Sequence, residues 1–176
     1  MSDVLAVFFI LLLFGVAFPG LLSAWWLIFP STVERARQRL DSTLWSCFWL
    51  GLALLVLVLI PVLILLALPV GPAKFMGWSL AFLALAINGL GAAGLAGKMG
   101  AELLKRSAAS SSAGAFVRGA VALELACAFP IIGWAIFFPF SVMLSLGATA
   151  FALLGWMPRD VRASRLVDPA PVSSRA

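Results

Sequence analysis

The chain has 176 residues, 64% of them hydrophobic and 11% charged, with a mean hydropathy of +1.14 and a formal net charge of +5. So large an apolar excess has to face lipid, and it leaves no room for a separate soluble domain. The basic residues sit in short runs between apolar segments, as lipid headgroups and the insertion machinery select, so nucleic acid is excluded as an expected partner.

Histidine and tyrosine are both absent. That removes the usual axial ligand of haem, the commonest zinc ligand and the commonest general base together, so no cofactor is expected. Cys47 and Cys127 lie inside apolar segments without CxxC spacing, which reads as buried small apolar residues.

Residues 4–29 read as a first spanning helix, long enough to be tilted or bent at Pro19 and Gly20. Asp3 in place of a basic leader, and the length of the apolar run, argue against a cleaved signal. The polar stretch 30–41 follows, with Ser31 and Glu34 at capping-box spacing and Arg35 and Arg39 four apart on one face. Two readings stay open for Arg35, Arg37 and Arg39: a solvated loop that sets orientation, or a docking surface for an acidic partner.

A second span is predicted over 43–69, bent at Pro61, and the turn Pro69-Val70-Gly71-Pro72 leads to a third over 75–96. Gly89, Ala93 and Gly97 recur every four residues at its end, a spacing that lets another helix approach closely, within this chain or in a partner subunit. Residues 99–106, with Lys105 and Arg106, are expected along the interface, and the Ser- and Ala-rich run 107–115 as linker up to Arg118.

Residues 119–156 carry a single charge yet number 38. As one helix they would reach about 57 Å, against a hydrocarbon core of about 30 Å. Pro130, Gly133 and Pro139 lie near the middle, so the stretch reads as a helical hairpin with arms 119–135 and 138–156, two short spans or a re-entrant loop. The tail 157–176 should be disordered. With the hairpin returning, eleven of the twelve basic residues share one side and only Lys74 faces the other; without it the count is seven against five. The positive-inside rule then puts the N-terminus outside and the tail in the cytoplasm. Tryptophan agrees, with Trp25, Trp26, Trp45 and Trp156 at one interface and Trp78 and Trp134 at the other.

Glu124 is the only ionisable residue placed within a span. It could relay a proton or cation, or, about 9 Å along the helix from Arg118, snorkel or pair with a basic residue. The other polar groups on offer are Asn88, Ser141, Ser145 and Thr149, the last three on one helix face at four-residue spacing, more a packing seam than a pore. No nucleophile motif and no phosphate-binding loop is present, so no enzyme is expected.

Phe29-Pro30 followed by Glu34-Arg35, a span ending in Pro-Val-Gly-Pro, and Pro130-Ile131-Ile132-Gly133-Trp134 leading to Gly147-Ala148 together resemble the membrane region of some bacterial polymer-forming cytoskeletal proteins of the bactofilin type. The chain has no repetitive strand-rich segment for a polymerising β-helix. The resemblance therefore implies a membrane anchor or scaffold, and a bacterial cytoplasmic membrane.

The expectation is thus an all-α polytopic membrane protein: three spanning helices and a C-terminal helical hairpin. Its expected function is a non-enzymatic scaffold or accessory subunit, in contact with lipid and with partner membrane proteins or further copies of itself. The alternative is a small transporter or channel using the broken hairpin and Glu124.

Overall fold

The computed structural model describes residues 2–106 and 111–156, with side chains at 5, 15–105 and 111–156. The expected disordered tail and residues 107–110 of the expected linker lie outside the described residues. Every regular element among the described residues is helical: α1 (Ser2–Ile28), α2 (Pro30–Ser42), α3 (Leu44–Ala67), α4 (Gly71–Arg106), α5 (Ser112–Ala128) and α6 (Phe138–Leu153), the last entered through a π turn at Gly133–Phe137. Among the described residues three helices are long and apolar enough to cross a membrane, α3, α4 and the unit Gly133–Leu153, and the bent pair Gly15–Ile28 with Pro30–Ser42 passes the same test together.

α4 is the central post. The expectation that the chain leaves the core near Lys98 is corrected, because α4 runs unbroken from Gly71 to Arg106. Its glycines do not stop it; each admits a neighbour. A Cβ on Gly91 would overlap the Ser145 carbonyl of α6, one on Gly94 would lie 2.8 Å from the Ala36 side chain of α2, and one on Gly100 would overlap the Ala115 carbonyl of α5. α3 and α6 cross in the same way, Gly51 against the Met143 carbonyl and Gly147 against that of Cys47. In lipid, where apolar surface gains nothing by leaving the solvent, such close backbone approach is what holds helices together.

α2 turns from the end of α1 at 108° and lies across α4 and α6. The expected capping box does not form: Pro30 occupies the first turn, Phe29 precedes it without a side-chain cap, and Glu34 instead pairs with Arg37 at 3.3 Å. Proline's fixed φ begins the helix one residue before Ser31 can cap it. Val33, Ala36 and Leu40 are buried, so this polar stretch is a packed amphipathic helix and not a solvated loop. Lys98 closes its far end, donating to the Leu40 carbonyl at 2.7 Å and pairing with Asp41 at 3.3 Å, a cation at the negative end of a helix.

The hairpin forms with its turn earlier than expected, its arms being 112–128 and 133–153. Ser111 caps α5 by accepting the Gly114 N–H at 3.2 Å, which brings part of the expected linker into the helix. Pro130 ends the ladder, and Ile131 (φ 68°) sits in a γ-turn in which the Ile132 N–H reaches the Pro130 carbonyl at 2.9 Å. Gly133 and Pro139 belong to the second arm. A Cβ on Gly133 would crowd the Ala126 and Cys127 carbonyls at 2.6 Å. Pro139 lies in the first turn of α6, and the Phe138 N–H before it bonds five residues back to Gly133. The wider turn accommodates the donor that proline lacks.

The hairpin returns on itself: the start of α5 packs beside Gly100 and the end of α6 beside Arg35. Its arms meet near the turn, where α5 packs on Gly133–Phe137, and beyond it α5 and α6 each pack mainly on α4 and diverge. Gly147→Ala should therefore unfold at lower temperature in detergent, by about 1–3 kcal/mol for overpacking. Gly20→Ala, whose Cβ meets nothing within 4 Å, should leave stability unchanged or slightly raised; equal effects at both sites would contradict the α3–α6 contact.

Candidate functional site

Because α5 and α6 stand apart on either side of α4, a cavity of about 410 Å³ remains between them. α4 forms its floor with Leu85, Asn88, Gly89, Ala92 and Leu95. One wall is Leu123, Glu124, Cys127 and Ala128 of α5 with Phe18, Leu21 and Leu22 of α1, and the other is Phe138, Ser141, Val142 and Ser145 of α6. Its size falls within the range of small-molecule pockets.

Of the scarce polar groups in the apolar segments, four converge here: Asn88, Glu124, Ser141 and Ser145. Ser145 is buried, with its hydroxyl 2.7 Å from Asn88 Oδ1 and 2.6 Å from the Ser141 carbonyl. Thr149, one turn on, is buried as well; it donates to the Ser145 carbonyl at 2.8 Å and lies 3.4 Å from the Ile87 carbonyl. The face Ser141, Ser145, Thr149 thus does two things: its inner two residues seam α6 to α4, and Ser141 opens onto the cavity.

Glu124 turns inward. Its Oε1 lies 3.7 Å from the point where a Cβ on Gly15 would sit, which places the carboxylate beside α1. The ion pairs among the described residues join Arg37 to Glu34, Lys98 to Asp41 and Lys105 to Glu102, none of them at this depth. Arg118, six residues earlier and about 120° round the helix from Glu124, is exposed.

Cys127 belongs to the site and is not the buried apolar residue its sequence setting implies. It is partly exposed, lines the cavity, and holds its sulfur 3.7 Å from Ser141 Oγ. The usable signal was its place three residues after Glu124, on the same helix face. Cys47, by contrast, is fully buried.

Of the remaining sequence candidates, Gly89 lies in the cavity floor under the Trp25 indole, Ala93 is fully buried, and a Cβ on Gly97 would meet Arg37 Cδ at 3.4 Å and the Phe116 ring. All three admit neighbours from this chain. Arg35 donates to the Ala152 carbonyl at 3.3 Å, and Arg39 stacks 4.1 Å over the Phe151 ring, so these two tie α2 to the end of α6. Arg37 borders a second cavity of about 240 Å³, lined also by Glu34, Trp26 and Phe116. Lys105 pairs with Glu102 on the α4 extension, Arg118 is exposed, and the Arg106 side chain lies outside the described ones. Pro130 forms the hairpin turn, with Gly133 and Pro139 opening the second arm.

No family model matches the chain, and no curated protein or solved structure matches it either.

The two cysteines give a direct reading of the cavity. N-ethylmaleimide added to the folded protein in detergent should attach to Cys127 and spare Cys47, a single mass increment that Cys127→Ser removes and Cys47→Ser retains. Modification of Cys47 in the folded protein would contradict this packing.

Proposed function

We propose that the chain is a non-enzymatic accessory or scaffold subunit of a membrane assembly, and that what it brings to the assembly is a ligand cavity within its helices. In this reading the end carrying α2, Lys98 and the start of α5 lies at the cytoplasmic surface, by the distribution of basic residues. The resemblance to the membrane region of bactofilin-type proteins supports an anchoring role in a bacterial cytoplasmic membrane.

The observation that carries the proposal is that the interior polar groups gather on one cavity instead of continuing along a route. Toward the Lys74 end, α4 reads AFLALAI over 81–87 and the hairpin tip reads FPIIGWAIFF over 129–138. A solute or proton crossing alone needs polar groups to meet it on both sides of the midplane, and these segments offer none. The small-residue faces are taken up inside the chain, so a partner would dock on larger side chains. α3 offers the most surface, with 11% of its apolar window buried against 33% for α4.

A second reading is favoured by one feature. Broken helices mark binding sites in transporters, and here the break at Phe129–Ile132 lies directly after Cys127 and Ala128 of the cavity wall. Glu124 would then carry a proton or cation.

Purification of the tagged protein from its native host in mild detergent, followed by mass spectrometry, separates the two. The subunit reading predicts a stoichiometric partner that survives washing, is retained by Glu124→Gln, and an absence of Glu124-dependent proton flux when the chain alone is placed in liposomes. A solitary homo-oligomer whose proton flux is lost in Glu124→Gln would replace it with the transporter.

A further inference from the structure

We infer that the cavity binds a lipophilic amine, a single ammonium group on an apolar tail, that enters sideways from the bilayer. The inference names the ligand class for the cavity of the preceding reading and rests on it.

Three observations carry the inference. The first is charge. Glu124 projects into the cavity with no described basic group to pair with, and an unpaired carboxylate among apolar side chains is costly, so the site favours an occupant that supplies a cation. An ammonium has three donors and no acceptor. The groups awaiting it are acceptors: the carboxylate of Glu124 and, on the opposite wall, the lone pairs of Ser141 Oγ, whose own proton goes to the Phe138 carbonyl at 2.8 Å. An anion would face the carboxylate with no counter-charge, and a neutral alcohol would leave it unpaired.

The second observation is the apolar remainder. Away from these groups the lining is leucine, alanine, valine and phenylalanine, which gives a hydrocarbon tail a matched surface and an inorganic cation none. Among the described residues no three His, Cys, Asp or Glu side chains converge as they would to hold a metal ion.

The third is access. Among the described residues α1 and α6 make little or no contact, and the opening between them is bordered by exposed side chains, Leu21 of α1 at 54% and Phe138 of α6 at 57%, with Leu85 of α4 at 61% where the floor reaches the surface. These face outward between helices of the bundle, the direction of the lipid tails in a membrane-spanning fold. A molecule already partitioned into the bilayer reaches Glu124 without crossing a polar barrier, tail along the rim and head at the carboxylate.

The test uses the full chain in neutral-lipid nanodiscs and three probes of equal tail length: decylamine, decanol and decanoic acid, with binding followed by native mass spectrometry and titration. Decylamine should bind at least about thirtyfold more tightly than decanol, the loss expected when one member of a buried charge pair is removed, and decanoate should bind least. Glu124→Gln should erase the preference for the amine, and Glu124→Asp should keep its sign; each variant is compared at equal thermal stability. Ala92→Phe, which fills the floor, should weaken every probe. If the three probes bind alike and Ala92→Phe abolishes all of them, the cavity stands and the amine class is wrong. If Ala92→Phe changes nothing, the probes lie on the lipid-facing surface and both the cavity reading and this inference fail.

Discussion

Backbone-to-backbone contact across glycine holds this molecule together, and α4 makes most of it. Around one helix the chain places Gly91 against α6, Gly94 against α2, and Gly100 against α5. Helices in lipid gain little from hiding apolar surface, so stability comes from dispersion and close approach. Three neighbours at close range leave no freedom in how they are arranged. α5 is held on one side of α4 and α6 on the other, although they are consecutive in sequence and joined by a tight turn.

The cavity follows from that arrangement. Two arms of a hairpin that packed on each other would close over Glu124; two arms drawn to opposite sides of a third helix cannot. The floor of the space is made of small residues, Gly89 and Ala92. α2 reinforces the splay from the other end, with Arg35 on the Ala152 carbonyl and Arg39 over Phe151 fixing the last turn of α6. The same arginines that mark sidedness in the sequence therefore act within the fold as fasteners.

Much of this was legible in the residues. Apolar length gave the helices, Pro130, Gly133 and Pro139 within an overlong apolar run gave the hairpin, and the scarcity of polar groups singled out Glu124, Asn88, Ser141, Ser145 and Thr149, of which all but Thr149 line the cavity. Three things were not. The hairpin turn moved because proline is tolerated in a first helical turn, so Pro130 and Pro139 look alike in sequence but only the former breaks the chain. For 30–41 a solvated loop and a docking surface both stayed open because its charged residues outnumber its buried ones, while the close seat of Ala36 depends on Gly94 in a helix some sixty residues away. The meeting of Asn88 with Ser145 depends on which face of α4 each neighbour takes, and that is set by packing across the whole bundle.

The account turns on Glu124 lying in apolar surroundings that open to the bilayer, and hydrophobic carbodiimide labelling reads that directly. Dicyclohexylcarbodiimide dissolves in lipid, and carboxyl groups held in apolar sites add to it. Peptide mapping by mass spectrometry after treatment of the membrane-embedded protein should find the N-acylurea adduct on Glu124 and none in Glu124→Gln. Failure to modify Glu124, with the reagent falling instead on Glu34, Asp41 or Glu102, would show that the carboxylate does not face an open apolar cavity and would contradict the account at its centre.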